Sequence, residues 1–136
     1  MTHATRTLAQ FIAANRIRIS SEWTASNPNM DDSARMDHWK VTLRSGKRQM
    51  TLTFSKGFGH NGAEPTADEV LDCLASDSAS VENARDFEDW AQEFGYDTDS
   101  RKAEKTYRQC ERQAEKLKRL LGEEAYKALL WDTERL

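Results

Sequence analysis

"HWKVTLRSGKRQMTLTFSK", residues 38–56, alternates apolar and polar side chains twice over. Trp39, Val41 and Leu43 fall on one face and Met50, Leu52 and Phe54 do so again, the period of two that a half-buried strand requires. With Ser45-Gly46-Lys47-Arg48 as a four-residue loop, Leu43 faces Met50, Val41 faces Leu52 and Trp39 faces Phe54. Apolar pairs that all align at one register specify an antiparallel hairpin over 38–55. The opposite face holds Lys40, Thr42, Arg44, Gln49, Thr51, Thr53 and Ser55.

Upstream, "RIRISSEW" alternates in the same way, with Ile17, Ile19 and Trp23 on the side of the core and Arg16, Arg18, Ser20 and Glu22 on the other. It predicts a third strand. Before it, Leu8, Phe11, Ile12 and Asn15 share a face of a short helix at about 5–15. The polar run at 24–37, with its Asn-Pro, reads as a long loop.

Downstream the period becomes helical. Thr66-Ala-Asp-Glu69 is a capping box, and Val70, Leu71 and Leu74 give the following helix its apolar face. A second helix at about 83–94 places Phe87, Trp90, Ala91 and Phe94 on one stripe and stops at Gly95. Asp99 or Ser100 caps a long helix to Leu121, whose seam is Ala103, Tyr107, Cys110, Ala114, Leu117 and Leu121. Packing against the chain's own sheet is the expected use of that seam, with self-association as a coiled-coil heptad the alternative. Gly122 breaks it before a last short helix in "EEAYKALLW". The fold class is α+β in one domain, 1–136: a short N-terminal helix, a small antiparallel sheet of about three strands, and a helical C-terminal half packed on one sheet face.

Charge is uneven along the 136 residues despite a net −3. Residues 1–60, with nine Lys and Arg against four acids, are basic. Residues 61–99 carry one Arg against twelve acids, and residues 100–136 carry ten bases against seven. An exposed acidic segment competes for basic grooves by the charge complementarity that nucleic acid uses. Its candidate contact residues are Asp68, Glu69, Asp72, Asp77, Glu82, Asp86, Glu88, Asp89 and Glu93. The rival surface is basic: Arg16, Arg18, Lys40, Arg44, Lys47 and Arg48 would gather on the polar face and loop of the sheet and meet phosphates. Trp23, Trp39 and Phe54 point to the core side in this reading, so stacking on bases is not expected there.

Other motifs dissolve on inspection. Gly57, Gly59 and Gly62 spell G-x-G-x-x-G, but the strand before them is an arm of a hairpin. The helix after them starts only at Thr66, with Asp68 and Glu69 in its first turn, so a dinucleotide phosphate is not accommodated. "DTDSR" at 97–101 has Lys102 and Arg108 where a calcium loop needs Gly and Glu. His3, His38, His60, Cys73 and Cys110 show no metal-ligand spacing, and no local signature supports a Cys73–His60 nucleophile pair. The chain is read as non-enzymatic, with no cofactor and no metal. The short apolar runs of residues 1–18, broken by Gln10, Asn15 and Arg16, are expected to be neither a signal peptide nor a membrane span, and Cys73 and Cys110 are expected as free thiols.

"MTLTFSKGFGHNG", "PTADEVLDCLASD", "FEDWAQEFGYDTDSRKAEKTYRQC" and "ALLWDTERL" resemble small proteins of tailed bacteriophages and prophages of proteobacteria and actinobacteria, over about residues 36–136. The resemblance implies a phage origin and action in the cytoplasm of the infected host, and it transfers no catalytic residue. Such proteins often bind a host protein, inhibitors of CRISPR–Cas and other defences included. The leading expectation is therefore a binder of a host or defence-complex protein through the acidic residues. The alternative is a nucleic-acid binder using the basic sheet face.

Overall fold

The computed structural model describes residues 6–26, 36–56 and 63–134. The chain runs β1 (Arg6–Thr7), α1 (Leu8–Ala14), β2 (Ile17–Ser26), β3 (Asp37–Ser45), β4 (Arg48–Lys56), α2 (Ala67–Asn83), α3 (Phe87–Glu93), α4 (Arg101–Leu121), α5 (Glu123–Trp131) and β5 (Thr133–Glu134). It is an α+β fold whose antiparallel sheet has the order β2-β3-β4. A short parallel bridge, β1 with β5, ties the two ends of the described chain together.

The hairpin register is the one its apolar pattern specifies: Trp39 opposite Phe54, Val41 opposite Leu52, Leu43 opposite Met50. The turn itself is tighter than the sequence suggested. Ser45 and Arg48 still pair, leaving only Gly46 and Lys47 in the turn, and Gly46 takes the left-handed conformation (φ 62°) that a two-residue hairpin turn favours. β2 and β3 also reach further than expected, so 24–26 and 37 belong to strands rather than to a loop. The rest of that loop, 27–35, and the glycine run 57–62 with Phe58 and His60 lie outside the described residues, as does His3.

The sheet buries Trp39, Val41, Leu43 and Met50 against Leu8 and Phe11 of α1, Val70, Leu71 and Leu74 of α2, Leu117 and Leu120 of α4, and Leu129 of α5. Full burial of each large apolar side chain is worth about 2 kcal/mol, which is what fixes the helices on this face. Both anticipated capping arrangements form: Thr66 with Glu69 opens α2, and Ser100 caps α4. Thr7 and Gln10 make a further capping box at α1.

Three details depart from the sequence reading. α2 continues to Asn83 and α3 starts only at Phe87, because Asp86 and not a residue near 83 accepts the capping bond from the Asp89 amide. α4 packs chiefly along α2, touching the sheet at β4, with Leu120 more deeply buried than Leu121. Trp23 is 52% exposed instead of core, its indole N–H donating to Asp37 at 3.3 Å, because the β2–β3 register shifts just after it and the strand leaves the helical layer.

α3 ends in a Schellman turn. The Tyr96 amide donates to Ala91 and the Gly95 amide to Gln92, with Gly95 at φ 73°. The turn folds Tyr96 back to stack on Trp90 (centroids 5.3 Å apart), while Phe94 and Tyr107 tilt against the same indole. This aromatic corner, with Ala103 and Cys110 beneath, is a second small core apart from the sheet.

Candidate functional site

Six basic residues of α4, Arg101, Lys105, Arg108, Arg112, Lys116 and Arg119, recur at steps of four, three, four, four and three, and all are exposed. At 100° per residue they fall within about 80° of the helix circumference, along a line about 27 Å long. The buried seam of Ala103, Cys110, Ala114 and Leu117 occupies the opposite side, so the stripe faces solvent for the helix's whole length.

Three adjoining depressions follow this stripe. The widest, about 520 Å³, lies between α4 and the outer face of the sheet and is lined by Thr24, Lys40, Thr51, Leu52, Thr53, Gln109, Arg112, Gln113 and Lys116. Its neighbours are lined by Gln49, Met50, Thr51, Lys116 and Arg119 on one side and by Arg101, Glu104, Lys105, Arg108 and Arg112 on the other. Among the described residues Glu104 is the one acid lining any of the three, and it is held by Arg108 at 3.2 Å. Lys116 donates to the Thr51 carbonyl (3.2 Å), which fixes the stripe against the edge strand β4. In the wall, Gln113 keeps its Oε1 buried with no hydrogen-bond partner among the described residues.

The basic residues anticipated on the sheet divide. Arg18, Lys40 and Arg44 are exposed on the outer face, where Arg44 donates to Ser20 at 3.2 Å. Lys47 is in the turn. Arg16 stands outside β2, at the α1–β2 junction with φ 51°. Arg48 is a correction: its register puts it on the inner-face parity, and its guanidinium donates to the Arg119 carbonyl (3.3 Å), where it caps the negative C-terminal end of α4. The outer face thus gains the α4 stripe and loses Arg48. The stripe was visible in the sequence as a period of three and four among bases, but the sequence does not tell which helix flank meets the sheet.

The acidic residues are placed quite differently. Asp68, Glu69, Asp72, Asp77 and Glu82 fan over about 220° of α2 rather than forming a stripe. Glu69 closes its capping box and receives Lys56 at 3.1 Å, a lysine whose side chain is only 6% exposed. Burial pulls the Glu69 carboxyl up, but the hydrogen bonds from Lys56 and Thr66 outweigh it and the net shift is downward. Glu82 accepts from the Tyr126 hydroxyl (2.9 Å) and lies 3.7 Å from Lys118. Burial pushes the Asp77 carboxyl up. On α3, Asp86 is the N-cap and Asp89 accepts from the Arg85 amide and pairs with its guanidinium. Asp68, Glu88 and Glu93 are exposed and have no ion pair among the described residues, while Asp72 is half-buried.

The thiols lie in this acidic region. Burial, with Asp77 nearby, pushes Cys110 up to about 11, which makes it a poor nucleophile at neutral pH. Among the described residues no group of three or more His, Cys, Asp or Glu is placed to hold a metal, and no helix is long and apolar enough to cross a membrane.

No family model, curated protein or solved structure matches this chain.

Proposed function

We propose that the chain is a non-enzymatic binding protein whose α4–sheet groove holds the phosphate backbone of a nucleic acid. The supporting observation is the continuous basic track along α4, joined by Lys40 and the hydroxyls of Thr51 and Thr53 in a concave wall. Cations, hydroxyls and amides are the donors that phosphate oxygens take. Among the described residues no aromatic ring lines the groove, so it positions a backbone rather than stacking bases, and sequence preference is expected to be weak.

The test is fluorescence anisotropy with labelled single- and double-stranded oligonucleotides at about 50 and about 200 mM salt. Binding that weakens at least about tenfold across that range, and is lost in Lys105→Glu/Arg112→Glu, supports the reading. No binding of either strand form at low salt overturns it.

A second reading follows the phage resemblance to a host or defence-complex protein, docked on the acidic end at α3. It is supported by Glu88 and Glu93 standing free beside Phe94 and Tyr96, which are 51% and 42% exposed. Reversing Glu88 and Glu93 to Lys would abolish that contact while leaving oligonucleotide binding unchanged.

A further inference from the structure

β2 is an edge of the sheet: β3 covers one side, and among the described residues no strand pairs with the other. Its regular stretch runs from Ile17 to Trp23, ended by the register shift beyond Trp23, and contains no proline or glycine. A strand of this length with one unused ladder is a template for another strand unless its charges forbid the match.

Here the charges select one match. Arg18, Ser20 and Glu22 project from the outer face, and the midpoint of the regular stretch is Ser20. In an antiparallel pairing of two β2 strands about a two-fold axis at Ser20, Arg18 of each copy faces Glu22 of the other, twice. Ile17 of each copy then faces Trp23 of the other on the inner face. Moving the two-fold axis to residue 18 or to residue 22, a slide of four residues either way, sets Arg18 against Arg18 or Glu22 against Glu22, both repulsive, and a slide of two loses both Arg18–Glu22 pairs.

Two features within one copy favour the same arrangement. Arg18 sits directly opposite Arg44 in the β2–β3 ladder, a like-charge pair that a carboxylate from outside would relieve. The Trp23 ring, half exposed although its N–H is already bonded, would gain an apolar neighbour in Ile17 of the second copy. We propose that two copies of this chain join through β2 in this register, making one six-stranded sheet with an isologous interface.

The inference does not depend on nucleic-acid binding. Its test is sedimentation velocity over a range of concentrations. The unaltered chain is expected at twice its 15.6 kDa mass. Arg18→Glu alone sets carboxylates against carboxylates and Glu22→Arg alone sets guanidinium against guanidinium, so each variant is expected to dissociate at least about tenfold more readily. Mixing the two variants restores both opposite pairs, and a dimer containing one of each is expected, with circular dichroism showing both chains folded. An unaltered chain that stays at 15.6 kDa at every concentration overturns the proposal. So does a dimer indifferent to the single reversals, or one that mixing fails to restore, since the contact would then lie elsewhere.

Discussion

Dense like charge marks two regions of this chain, α4 and the α2–α3 segment, yet they become different objects. Six of the eight α4 bases share one flank and look out over a groove whose lining is nearly free of acids. The α2–α3 acids point around their helices, and four of the nine are taken up locally: Glu69 by Lys56 and a cap, Asp86 by a cap, Asp89 by Arg85, Glu82 by Tyr126 and Lys118. The density of charge in a sequence is therefore a poor guide to a charged surface. What decides is the angular period of the charges and whether each has structural work to do within the fold.

The contrast can be broken most forcefully at the groove. Lys105 and Arg112 make no tertiary bond among the described residues, so Lys105→Glu/Arg112→Glu should leave the thermal midpoint nearly unchanged. Its oligonucleotide affinity at low salt is expected to fall about a hundredfold or more, with a shallower salt dependence as phosphate contacts disappear. Unchanged affinity would leave the two charged regions without functional distinction.

On the acidic side, stability is the readout. Glu69→Gln leaves the Lys56 ammonium buried without its carboxylate, at an expected cost of about 2 kcal/mol in denaturant unfolding. The same pair sets a pH dependence. The folded Glu69 carboxyl sits below its ordinary 4.5, so its contribution is present above that value and lost as pH falls through the lower folded one. That acid-limb slope should flatten in Glu69→Gln. Tyr126→Phe, which removes the hydroxyl that Glu82 accepts, is expected to cost about 1 kcal/mol. Smallest of all, Glu88→Gln/Glu93→Gln should stay within about 0.5 kcal/mol of the unaltered chain, since these exposed carboxylates make no ion pair among the described residues. A larger loss would show that the free acids are structural too.

Much of the architecture was legible because it rests on local periodicity. The hairpin register followed from three apolar pairs, and the Thr66 cap followed from residue type and the change of period, which narrowed the α4 cap to Asp99 or Ser100. What escaped were matters of tertiary geometry. Trp23 alternates correctly with Ile17 and Ile19, but a register shift carries it past the helical layer. Arg48 reads as a loop cation until the turn closes to two residues and β4 starts at it, within reach of the end of α4. The β1–β5 bridge joins residues more than a hundred positions apart and has no local signature. The candidate site was half legible: Lys40 and Arg44 could be assigned to the polar sheet face, but only the packing of α4 along β4 turns that face into one wall of a groove.

The most direct measurement is amide chemical-shift mapping of the labelled chain titrated with a short oligonucleotide at low salt. Perturbations are expected along Arg101–Arg119 and at Lys40, Thr51 and Thr53, with α3 silent. Shifts concentrated on α3 and the exposed side of α2, or no shifts at all, would contradict the assignment of the groove.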